Sequence, residues 1–163
     1  MTQIVIGIDP GAMGAIAVHR VGSGRVTCHD MPTVEVRGRR HVSPQLLAGV
    51  FACGERGGVV AVLEHVQGVQ GTGATSAFSF GRSFGLVEGL LAGLGVPTQL
   101  VRPQVWTRDL GVSRDKGAHR AAACQLWPQD AAAFARVKDD GRADAALMVA
   151  WWLKAACQNG GNR

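Results

Sequence analysis

The chain has 163 residues, the length of one domain that can bury a core without disulfide or zinc staples. Its formal net charge is +5, which predicts a surface that attracts a polyanion and favours nucleic acid over an acidic small molecule. Lysine occurs only at positions 116, 138 and 154, so almost all of the positive charge is arginine, whose planar guanidinium suits bidentate contact with phosphate. Abundant arginine, alanine and glycine can also reflect a GC-rich gene.

The four cysteines lie far apart, lack the CxxC spacing of a zinc knuckle and support no disulfide framework. We therefore expect a reduced, intracellular compartment. A strand pattern begins almost at the first residue, which leaves no room for a signal segment, and no apolar run approaches the roughly 18 residues of a membrane span. The chain is predicted to be soluble and cytoplasmic, with no membrane partner.

The first part of the chain contains short β-branched runs separated by Gly-rich or polar turns, a pattern typical of an antiparallel start. A helix is predicted from Pro44 to Phe51, with Ser43 as its N-cap. Strands are predicted over Gln3 to Asp9, Ala15 to Arg20, Arg25 to Asp30 and Val59 to Glu64.

Helical spacing of apolar residues dominates the rest of the chain, with one more strand from Thr98 to Val101. The helices are predicted over Ala77 to Leu94, Pro103 to Leu110, Gly117 to Trp127 and about Arg142 to Cys157. This order predicts an α/β, RNase H-like fold: a five-stranded mixed sheet with an antiparallel three-stranded start and helices on both faces. We expect a single domain over residues 1–157, a flexible tail over 158–163, and polar loops over Thr33 to His41 and Gln67 to Ser76.

Three carboxylates lie where apolar segments would normally exclude them: Asp9 and Glu64 end predicted strands, and Asp144 opens an apolar helical run. A buried carboxylate is disfavoured unless it is paired, protonated or bound to a cation, so the three are predicted to converge on a metal site. Two unit charges ~4 Å apart repel by about 4 kcal/mol at an effective dielectric of 20, and divalent cations would relieve that repulsion.

The sequence leaves open which residue is the fourth acid of this site. Asp140 lies four residues before Asp144 and shares its helix face if the helix already includes it, whereas a later helix start makes Asp140 an N-cap. Asp139 competes for the same role.

All-oxygen ligands favour Mg²⁺, with Mn²⁺ as a substitute, over zinc, and a pair of such ions suits hydrolysis of a nucleic-acid backbone. Lys116, in a polar turn just ahead of a helix, could neutralise a phosphate transition state or could be an ordinary solvated lysine.

The densest basic cluster is predicted to bind phosphate, and it contains Arg37, Arg39 and Arg40. The phenylalanines of the predicted helix, Phe78, Phe80 and Phe84, have a spacing that favours packing in a core or dimer face. Among them, Phe78 has the best claim to stacking on an unpaired base. Arg82 and Arg114 complete the predicted DNA-binding set.

Three blocks, in their order and spacing, resemble the RuvC-like Holliday junction resolvases: the segment from Gly7 to Gly11, the strand-end Glu64, and the segment from Asp140 to Ala145. The stretches from Met31 to Arg40 and from Phe80 to Gly85 look like the chloroplast-type (monokaryotic chloroplast) resolvases in particular. The resemblance runs from Ile4 to about Trp152.

The resemblance implies that Asp9, Glu64, Asp140 and Asp144 are metal ligands, and that Lys116 is catalytic rather than merely solvated. It also implies a homodimer that binds a four-way DNA junction and nicks two strands symmetrically, with two ions per site, in the cytoplasm of a bacterial or phage-infected cell. The bacterial pattern places an acid at the position of Gly141. At the third ligand in chain order, assigned to Asp140, this chain therefore departs from the bacterial pattern.

Two other classes fit parts of the pattern. The segment from Gly7 to Gly11 also resembles the first phosphate loop of actin-like ATPases, but those need two such domains, so no nucleotide cofactor is expected. A dinucleotide fingerprint is disfavoured because Asp9 replaces its middle glycine and would repel a pyrophosphate. A protein that binds junctions without cutting them stays open as the alternative.

Overall fold

A computed structural model describes residues 3–52, 58–65 and 73–160. The strands are β1 (Ile4–Asp9), β2 (Ala15–Arg20), β3 (Thr27–Asp30), β4 (Thr33–Val36), β5 (Arg39–Val42), β6 (Val59–Glu64) and β7 (Thr98–Val101). The helices are α1 (Pro44–Ala52), α2 (Ala74–Gly93), α3 (Pro103–Leu110), α4 (Lys116–Leu126) and α5 (Asp140–Gly160), with 3₁₀ helices at Pro128–Phe134 and Val137–Asp139. Among the described residues, no helix is long and apolar enough to cross a membrane.

The main sheet has five strands in the order β3-β2-β1-β6-β7. Strands β1, β2 and β3 pair antiparallel, whereas β1, β6 and β7 run parallel. The mixed sheet with an antiparallel three-stranded start is confirmed. Because β1 and β6 are adjacent and parallel, their carboxyl ends lie at the same edge of the sheet.

Alternating side chains of β1 build two cores, one on each face of the sheet. Val5 packs against α3, α4 and α5 residues on the first face, with Leu147 and Met148 fully buried. Ile6 and its even-numbered neighbours pack against α1 and α2 on the second face. Helices therefore cover both faces, as predicted.

The segment Thr33–His41 was expected to be a polar loop, and that expectation is wrong. It forms the β-hairpin β4–β5, a two-stranded sheet of its own. Arg37 and Gly38 have φ values of 51° and 73°, the pair of positive φ angles that a tight hairpin turn requires. The alternation of Val34 and Val36 with polar residues was the missed signal, because the basic residues suggested a solvated loop.

Most predicted boundaries agree with the structure within a few residues, and Ser43 caps α1 by accepting a hydrogen bond from the Leu46 amide at 3.3 Å. Helix α5 is longer than predicted at both ends, so the predicted tail at 158–163 begins inside the helix. The loop predicted at Gln67–Ser76 falls largely outside the described residues, and its last three residues belong to α2. The domain boundary at residue 157 stays a prediction.

Candidate active site

The first two acids of the site come from the ends of neighbouring parallel strands. The register pairs Ile8 with Leu63, so Asp9 and Glu64 each follow at the next position. Ile8 and Leu63 pack on the α1–α2 face of the sheet. Because successive side chains of a strand alternate, Asp9 and Glu64 therefore project toward the opposite face, which α5 covers.

Helix α5 brings the third acid to the same place. It lies so close to β1 that a Cβ atom on Gly7 would fall 2.0 Å from the carbonyl oxygen of Ala145. Asp144 precedes Ala145 and is 2% exposed. The glycine in the middle of β1 thus allows the close packing that sets Asp144 beside the strand-end acids.

Asp9, Glu64 and Asp144, here called the acid cluster, share one electrostatic environment. Burial raises the pKa of Asp9 to about 6, and the charge of Asp144 adds to the rise. Burial, followed by the charges of Asp9 and Asp144, raises the pKa of Glu64 to about 7. Only partial compensation comes from the amide of Gly11, which donates to Asp9 Oδ1 at 3.3 Å. Burial and the neighbouring acids therefore disfavour the ionised forms of Asp9 and Glu64, even though Lys116 and the Trp106 hydrogen bond to Glu64 act in the opposite direction.

The charge and donor chemistry of the acid cluster fit a hard divalent cation, since every candidate ligand atom is a carboxylate oxygen. Within residues 3–52, 58–65 and 73–160, no group of three or more acidic, histidine or cysteine side chains stands in ready ligand geometry. The side chains are instead held by protein donors, which are described next. The acid cluster therefore fits a divalent cation by its charge and its oxygen atoms, and not by a ready coordination geometry.

Lys116 is the cation that contacts the acid cluster. It is the first residue of α4, whose N-cap Asp115 accepts a hydrogen bond from the Ala118 amide at 2.9 Å. The ammonium of Lys116 donates to Asp144 Oδ2 and forms an ion pair with it. Partial burial lowers the pKa of Lys116, but the hydrogen bond and charge of Asp144, together with the other two acids, outweigh that effect and raise it. Lys116 therefore stays protonated beside the acids.

Asp139 and Asp140 have different partners. Asp139 is 1% exposed and accepts hydrogen bonds from the backbone amide of Arg136 at 2.9 Å and from its guanidinium at 2.8 Å. These hydrogen bonds lower the pKa of Asp139 despite its burial. Asp140 has helical backbone angles, so it is part of α5 and not its N-cap, and its side chain pairs with Arg120. The geometry gives Asp139 a capping role and leaves Asp140 as the candidate fourth acid.

Gly141 has no room for the acid that the bacterial pattern places there. A Cβ on Gly141 would lie 2.9 Å from the Cα of Gly14 and 2.9 Å from the carbonyl oxygen of Met13. The start of α5 packs directly against the turn between β1 and β2. In this chain an acid at position 141 would clash with that turn.

Three residues of the site were missed in the sequence. His119 Nδ1 lies 2.6 Å from Asp144 Oδ1, and Trp106 Nε1 donates to Glu64 Oε1 at 3.1 Å. Arg120 pairs with Asp140. Lys116, His119 and Arg120 are spaced i, i+3 and i+4 on α4, a pattern that predicts one polar helix face. That spacing was the available signal.

The candidate DNA-binding residues fall in three places. Arg37, Arg39 and Arg40 lie on the exposed hairpin β4–β5. Arg82 of α2 reaches this hairpin, with its Nη1 3.4 Å from His41 Nδ1, and Phe78 one turn earlier on α2 is 75% exposed. Arg114 is exposed in the turn before α4, two residues from Lys116. The structure thus brings Arg82 to the hairpin and sets Arg114 near the acid cluster's lysine.

No protein-family model matches the chain. A curated protein, the chloroplastic Holliday junction resolvase MOC1 of Chlamydomonas reinhardtii, is 31% identical over 146 residues. The matched region covers 86% of this chain, which spans only 16% of the length of that relative.

Two solved structures of RuvC from Thermus thermophilus have a similar fold. The structure in complex with a Holliday junction substrate gives a TM-score of 0.61 at 16% identity, over 93% of this chain and 96% of that one. A second structure gives a TM-score of 0.58 at 15% identity, over 94% and 96% of the two chains. The predicted resemblance to the RuvC-like resolvases is confirmed. The RNase H-like fold is confirmed with it.

Proposed function

We propose that this RuvC-like chain is a structure-selective DNA endonuclease that resolves four-way junctions by paired, symmetric nicks. The observation that carries the proposal is the acid cluster, which gathers carboxylates from β1, β6 and α5 at one sheet edge. Burial and the charge of Asp144 raise the pKa of Asp9, and burial and the charges of Asp9 and Asp144 raise the pKa of Glu64. The similarity to a curated Holliday junction resolvase supports the substrate class.

In this proposal Asp9, Glu64, Asp144 and Asp140 hold Mg²⁺, with Mn²⁺ as a substitute and two ions per site. When bound there, the ions would supply Lewis-acid activation of water and charge stabilisation for phosphodiester hydrolysis. The chain's own contribution is to hold the carboxylates close together and oriented, and a bound cation would favour their ionised forms over the raised pKa values of Asp9 and Glu64. Lys116, protonated at the rim of the site, adds positive charge where the attacked phosphate accumulates negative charge.

The DNA partner would contact the arginines of the hairpin and α2. Arg82 contacts the hairpin that carries Arg37, Arg39 and Arg40, and the exposed Phe78 lies one turn before Arg82 on α2, so phosphate contact and base stacking would involve neighbouring elements. Arg114 would contact the backbone next to the cleavage site. The net charge of +5 supports this role.

Two symmetric nicks require two active sites related by a two-fold axis, so we propose a homodimer as the active form. No nucleotide cofactor is part of the proposal. The proposed compartment is the cytoplasm of a bacterial or phage-infected cell, whereas the Chlamydomonas relative is chloroplastic.

The test compares a mobile four-way junction, a linear duplex and a flap, each incubated with the protein in Mg²⁺ or in EDTA. Paired nicks confined to the junction and dependent on Mg²⁺ support the proposal. Equal cutting of all three substrates, or cutting in EDTA, would overturn it. Junction binding without any cutting would favour the non-cleaving alternative.

A further inference from the structure

One face of α4 donates hydrogen bonds to acids of α5. His119 lies at the centre of this face, and its side chain is 5% exposed. Its Nδ1 lies 2.6 Å from Asp144 Oδ1, while Lys116 occupies Oδ2 of the same carboxylate. Both oxygens of Asp144 are thereby held by α4. Each oxygen retains a second lone pair, so neither hydrogen bond excludes a cation.

A second aromatic side chain holds Glu64 in the same way. Trp106 of α3 is 1% exposed, and its Nε1 donates to Glu64 Oε1 at 3.1 Å. The rings of Trp106 and His119 contact each other, with centroids 5.0 Å apart and planes tilted by 59°. A continuous chain of contacts therefore runs from Glu64 through Trp106 and His119 to Asp144.

We propose that Trp106 and His119 form a positioning pair that fixes the orientation of two acids delivered by different elements, β6 and α5. The inference rests on the proposed function, because it assigns the pair a role toward the metal that the acids would hold. Neither residue is placed against substrate, so the pair acts through Glu64 and Asp144. Donors beyond the ligands orient carboxylates in this way in other metal sites.

The hydrogen bonds of His119 indicate which nitrogen carries the proton. Nε2 of His119 is buried and has no hydrogen-bond partner among the described residues. The Nδ1–H tautomer donates to Asp144 and leaves only a bare acceptor at Nε2, whereas the other tautomer would bury an unpaired N–H and set two acceptors 2.6 Å apart. His119 is therefore a committed donor to Asp144.

A purely structural role for the pair would predict a different outcome from a positioning role. If the rings only fill the core, any loss of function should follow a loss of stability and disappear when volume is kept. If they orient the acids, metal affinity and cutting rate should fall in a folded protein that still binds the junction. The donor atom, and not the ring volume, then decides the outcome.

The decisive variants are His119→Leu, which removes the donor, and His119→Asn, whose amide N–H can replace Nδ1–H. Trp106→Phe keeps a ring and removes the donor to Glu64. Each protein is titrated with Mn²⁺ alone by calorimetry, assayed for single-turnover cutting in Mg²⁺, and tested for junction binding in EDTA. Thermal melts monitor folding.

We expect His119→Leu and Trp106→Phe to weaken Mn²⁺ binding and slow cutting by about 10- to 100-fold, the usual effect of losing such a partner. Junction affinity in EDTA should stay unchanged, and His119→Asn should recover most of both losses. Unchanged Mn²⁺ affinity in a folded Trp106→Phe or His119→Leu variant would overturn the pair's role. If His119→Leu does not fold, the Trp106→Phe and His119→Asn results decide the question.

The two proposals fail in different ways. If the unsubstituted protein neither binds Mn²⁺ nor cuts the junction, the proposed function is wrong and the positioning role is wrong with it. If the unsubstituted protein cuts and the donor-free variants cut equally well, only the positioning role is wrong.

Discussion

Gly7 of β1 and Ala145 of α5 touch backbone to backbone, and a Cβ on Gly7 would lie 2.0 Å from the Ala145 carbonyl oxygen. This contact positions Asp144 at the end of β1. Gly7→Ala should therefore push α5 away from the sheet and lower the free energy of unfolding by about 1 to 3 kcal/mol, as overpacking does in close-packed cores. Urea unfolding measures the change.

The matched control is Gly85→Ala in the exposed face of α2, where an added Cβ meets nothing within 4 Å. Because alanine is the better helix former, this control should gain up to about 1 kcal/mol. Equal effects of the two substitutions would contradict the close approach of α5 to β1.

Asp9→Asn should abolish cutting while junction binding in EDTA persists, because the amide removes a charge from the acid cluster without changing its volume. Gel-based cleavage and binding assays measure the two properties. Glu88→Gln, an exposed acid of α2, is the matched control and should cut at the original rate. Cutting by Asp9→Asn near the original rate would show that the metal assignment is wrong.

The acid cluster should also make stability depend on pH when EDTA removes divalent cations. Burial, with the neighbouring acids, raises the pKa of Asp9 from 3.8 to about 6 and of Glu64 from 4.5 to about 7. Because both folded-state values lie above the unfolded ones, the folded protein binds more protons between these limits. The resulting stabilisation is complete below about pH 4 and is lost as pH rises to about 7.

Urea unfolding at several pH values in this window tests the sign. Asp9→Asn should show a shallower decline, since one of the titrating acids is gone and the other loses a repelling neighbour. Mg²⁺ should reduce the decline in the unsubstituted protein. If the free energy of unfolding declines equally with pH in Asp9→Asn and in the unsubstituted protein, the proposed electrostatic coupling between the acids is wrong.

Substitutions of Asp139 and Asp140 should affect different properties: stability for Asp139 and cutting for Asp140. Asp139→Asn removes charge from a buried cap bonded to Arg136, so the free energy of unfolding should fall by about 1 to 3 kcal/mol. Asp140→Asn should leave the melting temperature nearly unchanged and reduce cutting. Melts and cleavage assays on both variants give the answer, and the reverse pattern would make Asp139 the fourth acid.

Arg39 and Arg40 should contribute to junction binding through phosphate contacts. Replacing both with alanine should weaken binding and reduce the slope of log affinity against log salt by about 0.9 for each lost contact. Arg108→Ala is the control, because Arg108 lies on α3 at the other face of the sheet and pairs with Asp109. A loss that is the same at all salt concentrations would indicate misfolding instead.

Much of the fold follows from local patterns in the sequence. Strands β6 and β7 and helix α3 begin and end where alternation, apolar runs and Pro103 predict, because these signals depend only on neighbouring residues. The acids that end β1 and β6 were predicted to converge because a buried carboxylate needs a partner or a cation, and the parallel pairing of the two strands brings their ends to one edge. The hairpin β4–β5 was missed although its alternation is local.

The partners of the acids were decided by the tertiary structure alone. Trp106 and Glu64 are 42 residues apart, and His119 and Asp144 are 25 apart, so no local period relates them. Their contacts exist because α3, α4 and α5 pack on one face of the sheet, with α5 in backbone contact at Gly7. Sequence patterns determined which acids reach the edge of the sheet, whereas the packing of these helices determined which donors hold them there.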